Sequence, residues 1–365
     1  MPNFILSTCG TSLFTNGISN ELRSEFAEYA NEKDWSEIPH DIASRLKQHA
    51  EQQKQKLLAA DLDLVKILSA ELNSLLSWQS NRSSDSQDMH VLLATDTALG
   101  QATAEIIQQW LISQGNTVTI TSASGLNTAS LQSFRESLSE LTTTLIEQVS
   151  SYKGNGYQII FNLAGGFKAL NGFLQAFSTI YADETVYIFE SSSEVLSIPK
   201  LPFRLDAEQI VKENLHIFRR LAYQLPVNKT EANAIPETLL FSIGDDITLS
   251  EWGELLWQSS YKEMYKKSLL PSISERIILA NGFEVSTKNL DPRVLKIVND
   301  RVAELAVYAE GDCKAALKSV DPKPLQEKQY KAQNLWECDL DPHHRIFMVK
   351  DGYHFILQYV GAALH

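Results

Sequence analysis

The apolar positions of this chain change period repeatedly over the first 200 residues. Residues 3–8, with Phe4-Ile5-Leu6 at their centre, read as a buried strand. From about Trp35 to Trp78 the pattern is helical, with Leu58, Leu62, Val65, Leu68, Leu72 and Leu75 at spacings of three and four. The polar run Gln79 to Asp88 predicts a loop, and Val91 to Ala94 a second strand leading into Thr95-Asp96-Thr97. A helix carrying Ile106, Ile107, Trp110 and Leu111 follows, then an alternating strand from Thr117 to Thr121. The next helix places Phe134, Leu138, Leu141, Leu145 and Val149 on one stripe. A strand at Tyr157 to Phe161, a helix from Ala169 to Tyr181 and a strand from Thr185 to Phe189 complete the series. Strands alternating with helices of this length predict an α/β domain with a mainly parallel sheet.

Beyond Ser197 the pattern changes. Pro199 and Pro202 break regular structure and close the first domain. A helix is expected from about Asp206 to Gln224, then a linker from Pro226 to Pro236. Thr248-Leu249-Ser250-Glu251 reads as a capping box for a helix that turns Leu249, Trp252, Leu255 and Leu256 inward. This small unit resembles a winged helix. The last 85 residues predict a helix from about Pro292 to Tyr308, followed by strands at Leu335–Cys338, Arg345–Val349 and Tyr353–Val360. Lys350-Asp351-Gly352 would be the hairpin turn between the last two, making an α+β module. Three domains are expected, over 1–205, 206–280 and 281–365.

Two turns carry the candidate chemistry of the first domain. The run Asn162-Leu163-Ala164-Gly165-Gly166-Phe167-Lys168 joins a strand to an apolar-faced helix. Adjacent glycines allow close backbone approach, the helix N-terminus presents N–H groups to an anion, and Lys168 adds a cation. The first strand runs into a similar turn, Ser7-Thr8-Cys9-Gly10-Thr11-Ser12. Two such turns at the carboxyl ends of parallel strands would form a pocket for a phosphate-bearing ligand.

The formal charge of −13 argues against a generic nucleic-acid coat. The last 85 residues carry 11 Lys and Arg against 12 Asp and Glu, so nearly all of the excess lies in residues 1–280. Lys314, Lys318, Lys323, Lys328 and Lys331 face only Asp321 and Glu327, a local basic patch able to touch phosphate. Three scattered cysteines suit neither a disulfide framework nor a zinc site. With no membrane-length apolar run and no signal-peptide core, a cytoplasmic protein is expected.

Ser7-Thr8-Cys9-Gly10-Thr11-Ser12-Leu13, paired with the second signature at Asn162 to Lys168, resembles the CARF domains, the Rossmann-like sensors of CRISPR antiviral defence. That resemblance implies a homodimer binding a cyclic oligoadenylate, most commonly cyclic tetra-adenylate, across its two-fold axis. The implied ligand-binding residues are Cys9, Gly10, Thr11, Ser12, Thr95, Asp96, Thr97, Asn162, Gly165, Gly166, Phe167 and Lys168. Slow cleavage of the ring by the sensor itself, with Ser12 and Lys168 holding a phosphate, is a further expectation.

The tail is similar to RelE-family messenger-RNA interferases through Leu335-Trp336, the turn Asp339 to His343, His344-Arg345-Ile346, Asp351-Gly352 and His365. Sensor, winged helix and RelE-like toxin in this order imply a type III CRISPR ancillary effector. Such a protein would be a ring-activated endoribonuclease that cuts messenger RNA on the ribosome, with ribosomal proteins as partners. Metal-independent cleavage needs a base, an acid and a cation on the phosphorane. Arg345 is the cation, and His365, His344, His343 and Glu337 are candidates for proton transfer, with Tyr353 also open. Lys323, Lys328 and Lys331 would touch RNA. No cofactor is expected, and Asp339, Asp341, His343 and His344 are too crowded in sequence to surround one metal ion easily.

Rival readings fit less of the chain. A dinucleotide enzyme wants Gly-x-Gly-x-x-Gly after the first strand, where this chain has Cys9-Gly10-Thr11-Ser12. A ligand-controlled winged-helix transcription regulator leaves the RelE-like tail unexplained. The tail has neither the Glu-x-Lys of a metal-dependent nuclease nor the Arg-x₄–₆-His of helical ribonucleases.

Overall fold

The computed structural model describes residues 1–365 except 81, 83–87, 189–193, 201–206, 244–245, 314–319, 321, 327–333 and 363–365. It divides into two compact units, Met1–Leu205 and Asp206–His365.

In chain order the first unit contains β1 (Asn3–Thr8), α1 (Ser12–Thr15), α2 (Asn20–Glu28), α3 (His40–Leu58), α4 (Leu62–Leu68), α5 (Ala70–Gln79) and β2 (Met89–Leu93). It continues with α6 (Ala98–Ser113), β3 (Thr117–Thr121), α7 (Leu131–Gly154), β4 (Gln158–Asn162), α8 (Lys168–Tyr181), β5 (Glu184–Ile188) and β6 (Val195–Pro199). The sheet order is β3-β2-β1-β4-β5-β6, parallel except for β6. Phe4, Ile5 and Leu6 of the central β1 are fully buried, as expected where helices cover both faces of a parallel sheet.

The leucine stripe between Trp35 and Trp78 is one helical pattern but three helices. Asp61 accepts the Leu64 N–H and Ser69 accepts the Leu72 N–H, so each restarts the chain as an N-cap inside the periodic run. The helix α2, capped by Ser19, was not expected from the pattern. Nor was β6. Pro199 does not break the chain there: it is the last residue of an antiparallel edge strand, where a missing N–H costs no central ladder bond.

The second unit contains α9 (Ala207–Glu213), α10 (Leu215–Ala222), α11 (Lys229–Ala232), the hairpin β7 (Leu240–Ile243) and β8 (Asp246–Leu249), and α12 (Glu251–Lys267). There follow β9 (Ile277–Leu279), α13 (Asn281–Thr287), α14 (Pro292–Glu310), β10 (Lys323–Pro324), β11 (Leu335–Asp339), β12 (His344–Asp351) and β13 (His354–Ala362). One apolar cluster spans Val211 to Leu270, and a second joins Ile273 to Leu357 with Leu225. The C-terminal sheet has the order β10-β11-β12-β13-β9, with β9 parallel to β13. That pairing draws residues before 281 into the C-terminal sheet.

Three local expectations are corrected here. The helix foreseen over Asp206 to Gln224 is interrupted at Asn214, whose side-chain amide turns back to the Ile210 carbonyl. Residues 226–236 are no linker: Val227, Ala232 and Ile235 are buried in the first cluster of this unit. The cap of α12 is Ser250, accepting the Gly253 N–H, while Thr248 lies in β8.

Candidate functional site

The chain runs from β1 outward to β2 and β3, then returns to place β4 on the other side of β1. The carboxyl ends of β1 and β4 therefore flank the point where the winding reverses, the usual crevice of an open α/β sheet. Their register pairs Ser7 with Asn162, so the two glycine-bearing turns emerge side by side. A cavity of about 980 Å³ opens there, bordered by Gly10, Thr11, Ser12, Gly165 and Gly166. Arg23 of α2 and Lys66 of α4 supply cations to its wall.

The glycines are required by the closeness of these turns. A Cβ on Gly10 would stand 2.7 Å from the Gly166 backbone nitrogen, and one on Gly165 would stand 2.5 Å from the Thr8 carbonyl oxygen. Gly166 also has φ +80°, the left-handed region. The Thr8 hydroxyl donates to the Gly165 carbonyl at 2.8 Å, and Asn171 of α8 donates to the same oxygen at 2.7 Å.

Between the turns lies Glu71, from the first turn of α5, only 1% exposed. Its Oε1 accepts the Gly10 N–H at 2.7 Å, and its Oε2 accepts the hydroxyls of Ser12 at 2.9 Å and Ser69 at 2.7 Å. Ser12 in turn accepts the Ala70 N–H at 3.2 Å. A buried carboxylate thus engages donors that the sequence pattern reserved for a phosphate. Little local to Glu71 marks it in the sequence, because Gly10 and Ser12, two of its three donors, are 61 and 59 residues away and only Ser69 is near.

The other expected ligand residues are distributed around this core. Cys9 is buried, and burial, with Glu71's charge adding, pushes its thiol well above the ordinary range. Asn162 donates to Ser7 Oγ and to the Glu71 carbonyl, tying β4 to β1 and α5. Thr97 caps α6 and exchanges a hydrogen bond with Thr95 at 2.9 Å. Asp96 accepts the Gly125 N–H at 2.8 Å and pairs with Lys33 at 3.2 Å. The Gly125 hydrogen bond, aided by Lys33, holds the Asp96 carboxyl below its usual range against the opposing effect of burial. Phe167 packs on Phe134 at the N-cap of α8, where no side chain caps the helix, and Lys168 is exposed beside it. None of Cys9, Thr95–Thr97, Asn162, Phe167 and Lys168 borders the cavity, whereas Arg23, Lys66 and Glu71 do.

In the second unit, Arg345 stands opposite Asp339 in the β11–β12 ladder and pairs with it, Nε to Oδ1, at 2.9 Å. Its Nη1 also reaches the Asp341 and His344 carbonyls at 2.8 and 3.0 Å. Asp341 accepts the backbone N–H groups of His343 and His344, both at 2.8 Å, and binds the His344 ring through Nδ1 at 2.9 Å. Burial alone would raise the Asp341 carboxyl, but these hydrogen bonds outweigh it and hold the group below its usual range. An ionised carboxylate only accepts, so Nδ1 carries the ring proton and Nε2 is left to exchange one. His343 has only its backbone in this turn's hydrogen bonds.

Glu337 is buried on the same ladder, opposite Phe347, with Oε2 unpartnered among the described residues. Lys323 is exposed on β10, across from Glu337. Tyr353 is half-exposed in the β12–β13 turn, beneath the Arg276 guanidinium. His365, Lys328 and Lys331 lie outside the described residues. Among the described residues no three His, Cys, Asp or Glu side chains are grouped to hold a metal ion.

The largely parallel sheet, with a cleft at its switch point, makes the first unit a doubly wound α/β fold. Residues 66–201 match the model of a family described as CRISPR-associated protein (Cas_APE2256). That stretch begins at Lys66 and includes Glu71 and both glycines of the second turn. No curated protein matches the chain. Among the described residues no helix is long and apolar enough to cross a membrane.

Proposed function

We propose that the chain is a type III CRISPR ancillary effector. Its first unit, a CARF sensor, binds cyclic tetra-adenylate as a homodimer, and its tail, a RelE-like domain joined through a winged helix, cuts messenger RNA on the ribosome. The observation that carries this reading is the cavity of about 980 Å³ at the β1–β4 switch point, with two glycine turns and two cations on its wall. Its volume lies at the upper end of the roughly 300–1,000 Å³ common for small-ligand sites, which suits several nucleotide units. Arg23 and Lys66 favour phosphate; the turn hydroxyls and Glu71 favour ribose. The family match over residues 66–201 supports a role in CRISPR defence.

For the tail, Arg345 is held rigid by Asp339 and two carbonyls, which suits a guanidinium that stabilises a phosphorane without reorganising. His344, oriented by Asp341, takes the proton-transfer role best supported by geometry, with Glu337 and His365 as the other candidates. The ribosome would position the message, since the tail is only weakly basic at Lys323, Lys328 and Lys331.

Calorimetry with cyclic oligoadenylates of each size, on wild type and on Arg23→Ala and Lys66→Ala, tests the sensor. Each variant should bind roughly 10- to 100-fold more weakly if its charge-assisted bond to phosphate is lost. Ribosome-bound messenger should then be cut only with the ring present, with or without chelator. Binding of no ring by the wild type overturns the sensor reading; ring binding with a shift of duplex DNA and no cleavage favours the transcription regulator.

A further inference from the structure

The cavity wall carries charge of both signs. Arg23 and Lys66 lie on it, and so does the carboxylate of Glu71, which pairs with no Lys or Arg among the described residues. Burying a carboxylate without a cation is costly unless hydrogen bonds replace its water. Here three donors do so: Gly10 N–H on Oε1, and two hydroxyls on Oε2. A carboxylate offers about four acceptor positions, so one remains, on Oε1. That oxygen lies beneath the bare backbone of Gly165, where a side-chain Cβ would collide with it. Glu71 borders the cavity although it is only 1% exposed, so only a small group could reach it from there. A phosphate brought there would meet a buried negative charge at close range and is repelled.

Resting on the reading of this cavity as a nucleotide site, we propose that Glu71 makes it specific for ribonucleotides. Its open Oε1 position accepts a ribose 2′-hydroxyl, and its charge keeps the ligand's phosphates away from the Gly10 turn and toward Arg23 and Lys66. The first turn then reads sugar, and the cationic wall reads phosphate. Glu71 contacts the ligand in binding and takes no part in bond making or breaking.

The test is calorimetric, on the full chain, with cyclic tetra-adenylate and its all-2′-deoxy counterpart as probes. Wild type should prefer the ribose ring by roughly 10- to 100-fold, the range for a hydrogen bond to a charged group. Glu71→Gln keeps the shape and a neutral acceptor, so its preference should shrink to about threefold, while it binds the deoxy ring more tightly than wild type does. A structural role for Glu71 predicts the contrary, equal loss of both rings. Wild type that binds both rings within about threefold overturns the assignment, whatever the variant does, and leaves the pocket standing. Equal discrimination by wild type and Glu71→Gln also overturns it. Wild type that binds neither ring overturns this assignment and the sensor reading together.

Discussion

Replacing Gly165 by alanine tests the packing of the two turns directly. The new methyl would lie 2.5 Å from the Thr8 carbonyl oxygen and inside contact distance of Glu71 Oε1. Glu71 can swing away, but the Thr8 oxygen belongs to β1, whose backbone is fixed by ladders with β2 and β4. Moving Glu71 strips the Gly10 N–H and two hydroxyls of their acceptor. Overpacking costs about 1–3 kcal/mol, and a buried donor left unpaired costs a similar amount, so a net loss of about 2–4 kcal/mol is expected after partial relaxation. Gly172 is the control. It lies exposed in the interior of α8 with open space around its Cβ position, so alanine there should stabilise by about 0.5–1 kcal/mol. Because the chain has two units, the assay must report on the first alone. Hydrogen exchange of the β1 and β4 amides does so, and their protection should fall roughly 30- to 700-fold in Gly165→Ala and rise in Gly172→Ala. Unchanged protection in Gly165→Ala would show that the turns are not in close contact and refute the argument.

Arg345→Ala should lower ring-stimulated messenger cleavage by roughly 10²–10³ while leaving ring affinity as in wild type, since the role proposed for it is on the phosphorane alone; cleavage at the wild-type rate removes Arg345 from the chemistry. Asp96 titrates below its ordinary value of 3.8 in the folded state, so its contribution to stability is full above that value and disappears as pH falls through the lower, folded one. Urea unfolding should therefore separate wild type from Asp96→Asn above about pH 4 and bring them together in stronger acid, and a difference constant with pH contradicts the role given to the Gly125 and Lys33 contacts.

Periodicity made most of the first unit legible. The strand at residues 117–121 and the helices α6, α7 and α8 stand where the apolar stripes placed them, because each buries one face against a sheet and that face must repeat with the element's own period. Two kinds of miss have a plain physical cause. Polar caps such as Asp61 and Ser69 cut a continuous stripe, and the stripe alone does not register them. The short edge strands β6, β9 and β10 take their order from their neighbours in the sheet, so two to five residues of sequence carry too little pattern to announce them. In the tail, the turn from Asp339 to Arg345 was visible as a cluster, but its internal order, with His344 held by Asp341 and His343 not, follows from side-chain geometry.

By itself the sequence determined the alternation of strand and helix, the two glycine turns after β1 and β4, and the candidate residues clustered around them. Those are local properties, written in neighbouring side chains. Only the tertiary structure decided that β4 lies against β1, which brings Gly10 to Gly166 and opens the cavity. It alone carried Arg23, Lys66 and Glu71 to that cavity from helices whose own patterns serve the core. The same folding left Lys168 outside it, although Lys168 follows directly on the glycine turn. The physical reason is that a binding site is defined by proximity in space, and proximity between residues tens or hundreds apart is fixed by strand order, to which short-range pattern is blind.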